Sequence, residues 1–282
     1  MRAILCLLAL LLAGGRGQAE TPSSLTGDIR YQFGFHSQFL PADRDIIIYL
    51  PPGYEQHPKE RYPVLYMQDG QNLFDGATSF IPGQEWRADE TAEALIEAGR
   101  IRPLIIVGIY NGGDSRIDDY TQIADADIKA GGKADLYGRL IVEELKPFID
   151  SHYRTIPGDT GLGGSSLGGL VSLYLGLKYP EIFNRLAVMS PSVWWGGRQI
   201  LRDVAALPTR TPARIWLDTG TDESKNPAKV VDDARALRDA LEAKGWMPGS
   251  DLAYFEAEGE QHNEAAWSRR FGGVLEFLYS PN

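Results

Sequence analysis

One serine in this chain lies in a pattern that could hold a nucleophile on a tight turn. The segment GSSLG (164–168) fits Gly-x-Ser-x-Gly, with Ser166 at its centre and Ser165 out of frame. Residues 159–164 are predicted to form a short strand, and residues 167–177 an apolar helix. A serine between strand and helix has a strained backbone, and flanking glycines let neighbouring elements approach closely. We therefore predict Ser166 as a nucleophile, the alternative being a glycine-rich turn whose serine caps the helix.

A serine hydroxyl needs a base to take its proton, and the base needs an acid to orient it. The chain offers four histidines as possible bases: His36, His57, His152 and His262. The first two precede the serine, and the third ends a predicted helix, where a surface or capping role fits. His262 follows the last predicted strand, in the loop before a C-terminal helix. The order serine, acid, histidine along the chain therefore favours His262 as the base.

The acid is expected after the strand that lies between the serine and His262. In RIWLDTGTDES (214–224), Asp218 falls within the predicted strand, whereas Asp222 and Glu223 both follow Gly220. An acid three residues after the glycine that ends a strand is a common arrangement, and that position is Glu223. The shorter Asp222 is expected to point away and cap the helix that follows. We favour Glu223 as the acid, with Asp222 as the alternative.

Stabilising an oxyanion requires two backbone N–H donors aimed at one point. Leu167, directly after the serine and at a helix N-terminus, is predicted to supply the first. The second is expected after an early strand, in PVLYMQDGQNLFDG (63–76), where Gly70 would let the chain turn and the Gln71 N–H would point inward. The alternative for Gln71 is a plain strand-to-helix turn.

Two adjacent tryptophans follow the predicted strand RLAVMS (185–190). Trp194 and Trp195 are expected near the rim of the site, where they could pack against a flat or bulky acyl or aryl group. Ordinary packing under a loop is an equal alternative.

Short apolar runs alternate with amphipathic helical segments along most of the chain. The strands are predicted, besides residues 159–164, at 45–51, 63–68, 103–109, 185–190, 214–219 and 251–256. Because most of these runs are apolar throughout, the fold class predicted is α/β, with a mostly parallel central sheet covered by helices on both faces. Ligands bind at the C-terminal ends of the strands in such sheets, which is where the candidate residues fall.

The N-terminus has the pattern of a secretory signal peptide. Residues 1–19 combine an early arginine, an apolar run too short to span a membrane, and small residues before a cut after Ala19. The alternative is a buried N-terminal helix. Cleavage would remove Cys6, the one cysteine, and leave a single domain over residues 20–282 that is secreted or periplasmic.

Charge and composition limit the partners. The formal net charge is −10, and it becomes −12 when the two arginines of residues 1–19 are removed. A surface of this sign argues against nucleic acid or anionic membrane as a partner. No histidine or cysteine cluster has metal-ligand spacing, so we expect no metal and no cofactor, and no later segment of the chain predicts a membrane span.

Several segments together resemble one enzyme family. They are LYMQDGQNLFD, IVEELKPFIDSHYRT, GGSSLGGLVSLYLGLKYPEIFNRLAVMSPSVWW and EGEQHNEAAW. The chain is similar, from about Asp45 to Leu278, to the esterase D–like family of α/β-hydrolases, which overlaps with carbohydrate esterase family 1. That resemblance implies Ser166 as nucleophile, His262 as base and an acid in the turn 220–223. Many α/β-hydrolases carry His-Gly at the oxyanion strand end, where this chain has Asp69-Gly70.

The function predicted is a serine carboxylesterase that works through an acyl-enzyme and acts on a small-molecule or carbohydrate-linked ester. The resembled family also includes acyltransferases of the mycolyltransferase type and siderophore trilactone esterases, and both functions are alternatives for this chain. A catalytically silent binding module is a third class. The sequence predicts neither which ester is the substrate nor the oligomeric state.

Overall fold

A computed structural model of the protein describes residues 23–281. The predicted signal peptide, with Cys6 and the cut after Ala19, lies outside the described residues. Within residues 23–281, no helix has the length and apolar character needed to cross a membrane.

The centre of the molecule is an eight-stranded sheet in the order β1-β2-β4-β3-β7-β8-β9-β10. The strands are β1 (Asp28–Phe35), β2 (Arg44–Leu50), β3 (Tyr62–Gln68), β4 (Ile105–Ile109), β7 (Thr155–Ser165), β8 (Arg185–Met189), β9 (Arg214–Gly220) and β10 (Leu252–Ala257). A two-stranded ribbon, β5 (Ala124–Asp125) and β6 (Ala130–Gly131), stands apart from it. Only the pairs β1·β2 and β2·β4 of the large sheet are antiparallel. The predicted mostly parallel sheet is confirmed, and each predicted strand is present within a few residues of its predicted bounds.

The edge strand β1 was not predicted from the sequence. Most of its side chains are exposed or half-buried, so it lacks the continuous apolar run that marks the central strands. By contrast, every residue of β3 and of β4 is buried, since helices cover both faces of the sheet there.

The helices flank the sheet on two sides. They are α1 (Ala88–Glu97), α2 (Arg116–Asp119), α3 (Ala134–Arg139), α4 (Lys146–His152), α5 (Leu167–Lys178), α6 (Trp195–Ala206), α7 (Pro227–Lys244) and α8 (Glu264–Tyr279), with short 3₁₀ turns at Gly70–Asn72 and Gly113–Ser115. A π-helical turn, Leu140–Leu145, joins α3 to α4. Helices α1 and α8 pack over one core, and the helices from α3 to α7 pack over the other.

Alternation along the strands divides the apolar side chains between these two cores. In β2, Ile46 and Ile48 belong to the core under α5, whereas Ile47 and Tyr49 belong to the core under α1 and α8. Successive strand residues point to opposite faces, so an unbroken apolar run serves both cores at once.

Helix α5 lies close against the sheet because it begins with glycines. A Cβ added at Gly169 would lie 2.8 Å from the Met189 carbonyl oxygen and 3.1 Å from that of Gly164. Both neighbours are backbone atoms of paired strands, which cannot withdraw as a flexible side chain could. Glycine at position 169 therefore sets how near the start of α5 comes to β7 and β8.

We expect Gly169→Ala to lower the free energy of unfolding. Alanine gains about 1 kcal/mol in helix propensity, but overpacking against fixed backbone costs about 1 to 3 kcal/mol, so the loss outweighs the gain. Thermal unfolding followed by circular dichroism measures the difference. Gly158→Ala is the matched control, because a Cβ at Gly158 meets nothing within 4 Å. An unchanged melting temperature in the Gly169 variant would contradict the close-packing argument.

Candidate active site

Ser166 connects β7 to α5 in a strained backbone conformation. Its φ is 60° and its ψ is −124°, a region that costs a non-glycine residue about 1 to 3 kcal/mol. Three backbone hydrogen bonds hold it there. The Ser166 N–H donates to the Met189 carbonyl at 3.1 Å, and the Ser166 carbonyl accepts the N–H groups of Ser192 at 3.0 Å and Leu170 at 3.1 Å. The Ser166 hydroxyl lies 3.3 Å from Ser192 Oγ. The turn therefore presents the hydroxyl at the C-terminal end of the parallel strands.

The two glycines of the motif are required for contact with β3. A Cβ at Gly164 or at Gly168 would lie 2.9 Å from the Cβ of Gln68. The glycines of the Gly-x-Ser-x-Gly motif are therefore needed for the close approach of the serine turn to the end of β3, as well as for the turn itself.

His262 and Glu223 meet at the ends of the two strands beyond β8. His262 Nδ1 lies 2.9 Å from Glu223 Oε2, and the edge of the imidazole packs against Trp267 with ring centres 5.0 Å apart. His262 follows β10 and immediately precedes Asn263, whose side chain caps α8 by accepting the Ala266 N–H. The cap fixes where α8 begins, and with it the place of the histidine loop.

Glu223 is held as a buried carboxylate. Its side chain is 1% exposed, and its Oε1 accepts the Gly220 N–H at 2.6 Å and the hydroxyl of Ser190. Burial alone would raise the pKa of Glu223, but hydrogen bonds from His262, Ser190 and Gly220 outweigh it and lower the pKa. Glu223 is therefore ionised at neutral pH and able to orient the imidazole.

The structure brings Glu223, and not Asp222, to the histidine. Asp222 is exposed, and its backbone N–H donates to the Glu260 carbonyl at 3.1 Å. The expectation that Asp222 caps the next helix is wrong, because α7 begins later and its N-cap residue is Asn226. Gly220 also explains the spacing, since Glu223 folds back over it and a Cβ there would lie 2.9 Å from Glu223 Oε1.

The two candidate oxyanion donors occupy equivalent positions. Leu167 is the first residue of α5, and Gln71 lies in the first turn of the 3₁₀ segment that follows β3. The first N–H groups of a helix have no intrahelical partner, so both amides are available to a ligand. Gln71 lines the same cavity as Ser166.

The turn before Gln71 is made differently from what the sequence suggested. Asp69, and not Gly70, takes the positive φ, at 57°. Gly70 is needed instead for contact with β4, since a Cβ there would lie 2.5 Å from the carbonyl carbon of Gly108. The expectation that Gly70 supplies the turn is therefore corrected.

Asp69 anchors this turn through its carboxylate. Arg116 Nε and Nη2 each donate to it at 2.7 Å, and Asn111 Nδ2 donates at 2.7 Å as well. The Asp69 N–H donates to the Tyr120 hydroxyl at 3.2 Å. The sequence marked Asp69 only as a departure from a familiar dipeptide. Arg116 and Asn111 were missed because they lie in a loop and a one-turn helix without apolar periodicity.

Two cavities open on either side of Ser166 and His262, which line both. The larger has a volume of about 470 Å³, and the smaller about 230 Å³. Other residues of the larger include Asp69, Gln71, Asn72, Phe80, Ile81, Asn111, Arg116, Glu264 and Trp267. Phe80 is 83% exposed at its margin. The smaller cavity is bounded by Ser190, Ser192, Trp194, Glu223 and Val230, among others.

The adjacent residues Trp194 and Trp195 lie in different environments. Trp194 is 45% exposed and lines the smaller cavity. Trp195 is buried, and its indole N–H donates to the Ile123 carbonyl at 2.9 Å. The next three residues, 196–198, have left-handed φ angles, so the chain is not a regular α-helix here, and the Trp195 ring packs in the core under α5. The expectation that Trp195 contacts substrate is therefore corrected to a packing role.

Metal ligands do not cluster in the part of the chain that the structure describes. Among residues 23–281, no group of three or more histidine, cysteine, aspartate or glutamate side chains is arranged to hold a metal ion.

The candidate serine, acid and histidine follow β7, β9 and β10, at the same C-terminal end of the parallel strands. This order and placement are those of α/β-hydrolases. The chain belongs to the family described as "Putative esterase", which matches residues 37–278, and it is a carboxylic ester hydrolase.

Named relatives agree with this class. The chain is 28% identical over 225 residues to the ferri-bacillibactin esterase BesA of Bacillus subtilis, covering 73% of this chain and 75% of that protein. It is 28% identical over 259 residues to an endo-1,4-beta-xylanase/feruloyl esterase of Xylanibacter ruminicola, covering 88% of this chain but only 31% of the longer relative. The solved BES protein from Bacillus cereus superposes with a TM-score of 0.72 at 23% identity, over 94% of this chain and all of that one. The last likeness shows the fold alone.

We expect Glu223→Gln and Asp222→Asn to separate sharply in ester turnover. Glutamine keeps the shape but loses the charge that stabilises protonated His262, which costs about 10⁴-fold where a triad acid is neutralised. Asp222→Asn is the matched control and should retain turnover, since Asp222 is exposed to solvent. Steady-state rates on a chromogenic ester, with melting temperatures of both variants, measure the effect. Loss of turnover in the Asp222 variant alone would identify Asp222, and not Glu223, as the acid that orients His262.

Proposed function

We propose that this protein is a serine carboxylesterase whose catalytic triad is Ser166, His262 and Glu223. The observation that carries the proposal is the 2.9 Å contact of His262 Nδ1 with the buried carboxylate of Glu223, beside cavities that Ser166 also lines. An ionised acid at Nδ1 keeps the proton on that nitrogen, so that Nε2 is the basic atom of the ring. Ser166 Oγ faces Ser192 Oγ at 3.3 Å, and the proposal requires that it turn to His262 Nε2 for proton transfer.

The reaction proceeds in two steps. Ser166 Oγ attacks the ester carbonyl while His262 takes its proton, and the N–H groups of Leu167 and Gln71 stabilise the oxyanion. His262 then gives the proton to the leaving alcohol. Water, activated by His262, releases the acid from the acyl-enzyme. The strained Ser166 backbone fixes the nucleophile at the N-terminus of α5, so little reorganisation is needed when negative charge develops.

The sequence pattern of residues 1–19 supports export, and we propose that the mature enzyme is secreted or periplasmic. The catalytic domain would then comprise residues 20–282. The family match over residues 37–278 supports a single catalytic unit within it.

Hydrolysis is favoured over acyl transfer by access of water to the base. The side chain of His262 is 35% exposed and stands beside the larger cavity, which opens to solvent. A transferase of the mycolyl type must keep water from its acyl-enzyme, and nothing in the described part of the chain covers this histidine. Free acid released at the same rate with and without an added alcohol acceptor would distinguish hydrolysis from transfer.

The charges in the larger cavity favour a neutral, hydroxyl-rich ester over a ferric siderophore. The Arg116 guanidinium is engaged by Asp69, which leaves Glu264 as a further acid and no unengaged arginine or lysine on the cavity wall. A ferric catecholate carries net negative charge, as does this protein, with a formal charge of −10. The side-chain amides of Asn72 and Asn111 donate to Glu264 and Asp69, but each amide nitrogen carries a second hydrogen, which suits a sugar hydroxyl. The names of relatives support both substrate classes, and the charges favour the carbohydrate-linked one.

Trp194 gives the smaller cavity an exposed aromatic wall next to Ser166. We place the acyl group of the substrate on this side. A flat aryl acyl group, as in a feruloyl ester, would stack on the indole, and such pairs contribute about 0.5 to 1.5 kcal/mol beyond burial.

Ser166→Ala should abolish labelling by a fluorophosphonate probe and reduce ester turnover on the order of 10⁶-fold, as removal of a triad serine does. Ser165→Ala is the neighbouring comparison and should have only a mild effect on both: Ser165 also lines the larger cavity, but it ends β7 and is not on the turn itself. Labelling is read by intact-protein mass spectrometry. Full turnover in the Ser166 variant would remove the basis of the proposed function.

A substrate panel tests the charge argument. We expect kcat/KM for a neutral feruloyl oligosaccharide to exceed that for a ferric trilactone by about tenfold or more, equivalent to about 1.4 kcal/mol. Acetyl sugars and small thioesters complete the panel. Trp194→Ala should lower kcat/KM for the feruloyl ester by about tenfold and leave the acetyl ester nearly unchanged. Preference for the ferric complex would instead assign the enzyme to siderophore hydrolysis.

A further inference from the structure

Beneath Glu223 lies a second buried acid, joined to it by one arginine. Arg270 of α8 and Asp218 of β9 have almost no solvent exposure. Arg270 Nη2 lies 3.2 Å from Asp218 Oδ1 and 3.5 Å from Glu223 Oε1. A single guanidinium nitrogen therefore faces both carboxylates, on the side of Glu223 that is turned away from His262.

Ser190, which follows β8, connects the members of this cluster. Its hydroxyl accepts hydrogen bonds from Arg270 Nη2 at 2.7 Å and from the Trp267 indole at 3.0 Å. Because a hydroxyl has one hydrogen, these two donors leave it to donate to Glu223 Oε1. The direction of the bond is thereby set, and Glu223 Oε2 is left facing His262.

The contacts of Asp218 are those of an ionised carboxylate. It accepts the Ser190 N–H at 3.1 Å and the Trp216 indole N–H at 2.8 Å, in addition to facing Arg270. Burial and the nearby Glu223 carboxylate raise the pKa of Asp218, and Arg270, Trp216 and Ser190 offset that rise only in part. Each of these contacts is a donor, so a protonated carboxyl would have no acceptor for its hydrogen. The ionised form is the one that the contacts satisfy.

The cluster carries an unbalanced charge until His262 is protonated. Asp218, Glu223 and Arg270 together have a formal charge of −1, and all three side chains are buried. Uncompensated charge in a protein interior is costly. An imidazolium at His262 brings the sum to zero. The arrangement therefore stabilises the charged form that a general base adopts when it takes a proton from serine.

We propose that Asp218 and Arg270 are positioning residues: the pair, acting through Ser190, fixes the orientation of Glu223, and Asp218 supplies an additional negative charge that stabilises protonated His262. The inference rests on the proposed function in taking His262 as the base. It adds a second acid and its counterion to the residues that control that base.

Other charged groups also face His262 and are not substituted in the test. Glu223 contacts its Nδ1, Glu264 begins the helix that follows it, and Asp69 with Arg116 lies across the larger cavity. None of these is altered in the variants below. A change in the titration of His262 therefore reports on the Asp218–Arg270 pair.

The two members of the pair should act in opposite directions. Asp218→Asn removes a negative charge, so the imidazolium is less stabilised and the midpoint of the His262 titration falls, by about 0.5 to 1 on the pH scale. Arg270→Gln removes a positive charge, so the midpoint rises. The double variant removes both charges and should return close to the starting value. A purely structural role predicts lower stability in each variant without opposite shifts.

The titration is followed by NMR, through the imidazole carbon-bound protons of His262 in a Ser166→Ala background. A His262→Gln spectrum assigns the signal among the four histidines. Asp159→Asn is the matched control, because Asp159 is also a carboxylate between two arginines, Arg102 and Arg185, but near the end of β7 remote from Ser166. It should leave the midpoint unchanged. If Arg270→Gln alone does not fold, Asp218→Asn compared with the double variant carries the test.

Unmoved midpoints in both single variants, or shifts of the same sign, would overturn the proposal, as would an equal shift in Asp159→Asn. In the enzyme with Ser166 intact, the acidic limb of kcat/KM should move with the NMR midpoint. Opposite midpoint shifts in a protein without ester turnover would support the positioning pair and count against the proposed esterase. Normal turnover with unmoved midpoints would leave the esterase standing and remove the pair.

Discussion

The approach of helix α5 to the sheet is the constraint on which the site depends. The serine turn touches β3 through Gly164 and Gly168 and touches β8 through Gly169, at distances where no Cβ fits. The helix can therefore begin directly at Ser166, with its N-terminal amides at the strand ends. The strain in the Ser166 backbone is offset by tight packing and by hydrogen bonds to β8.

Buried carboxylates organise the strand ends around that turn. Asp69 after β3 and Glu223 after β9 each accept several N–H or O–H donors, and each holds a turn that carries a candidate functional group. Desolvation of a carboxylate is costly unless donors replace the lost water, so each acid selects one arrangement of its loop. The same interactions that stabilise the loops thus also restrict the positions of the Gln71 amide and of His262.

The cavities on the two sides of the serine have different characters. The larger combines amides and acids with the apolar side chains of Phe80, Ile81 and Trp267, and the smaller is bounded by an exposed indole. An ester has two unlike halves, an acyl group and an alcohol, and a site that divides at the nucleophile can treat them separately. The match to an esterase family and this division together argue that specificity lies in the loops after the strands, while the sheet supplies the common chemistry.

Local pattern was enough to predict much of the fold. Continuous apolar runs marked the central strands because both faces of the sheet are covered, and the glycine spacing around Ser166 marked the strand-to-helix turn. The order of motifs also pointed to His262 as the histidine after the last strand. Edge strand β1 was not predicted, because a strand that is only half-buried has no continuous apolar run.

What the sequence by itself determined is therefore the set of central strands and the positions of the serine and histidine that follow two of them. Only the tertiary structure showed that Glu223, and not Asp222, contacts His262, because adjacent acids differ in which one faces a loop some forty residues away. The tertiary structure also showed that Trp195 is buried in the core and that Arg270 lies beneath Glu223. Such choices depend on contacts between segments distant in sequence, and local composition and periodicity carry no information about those contacts.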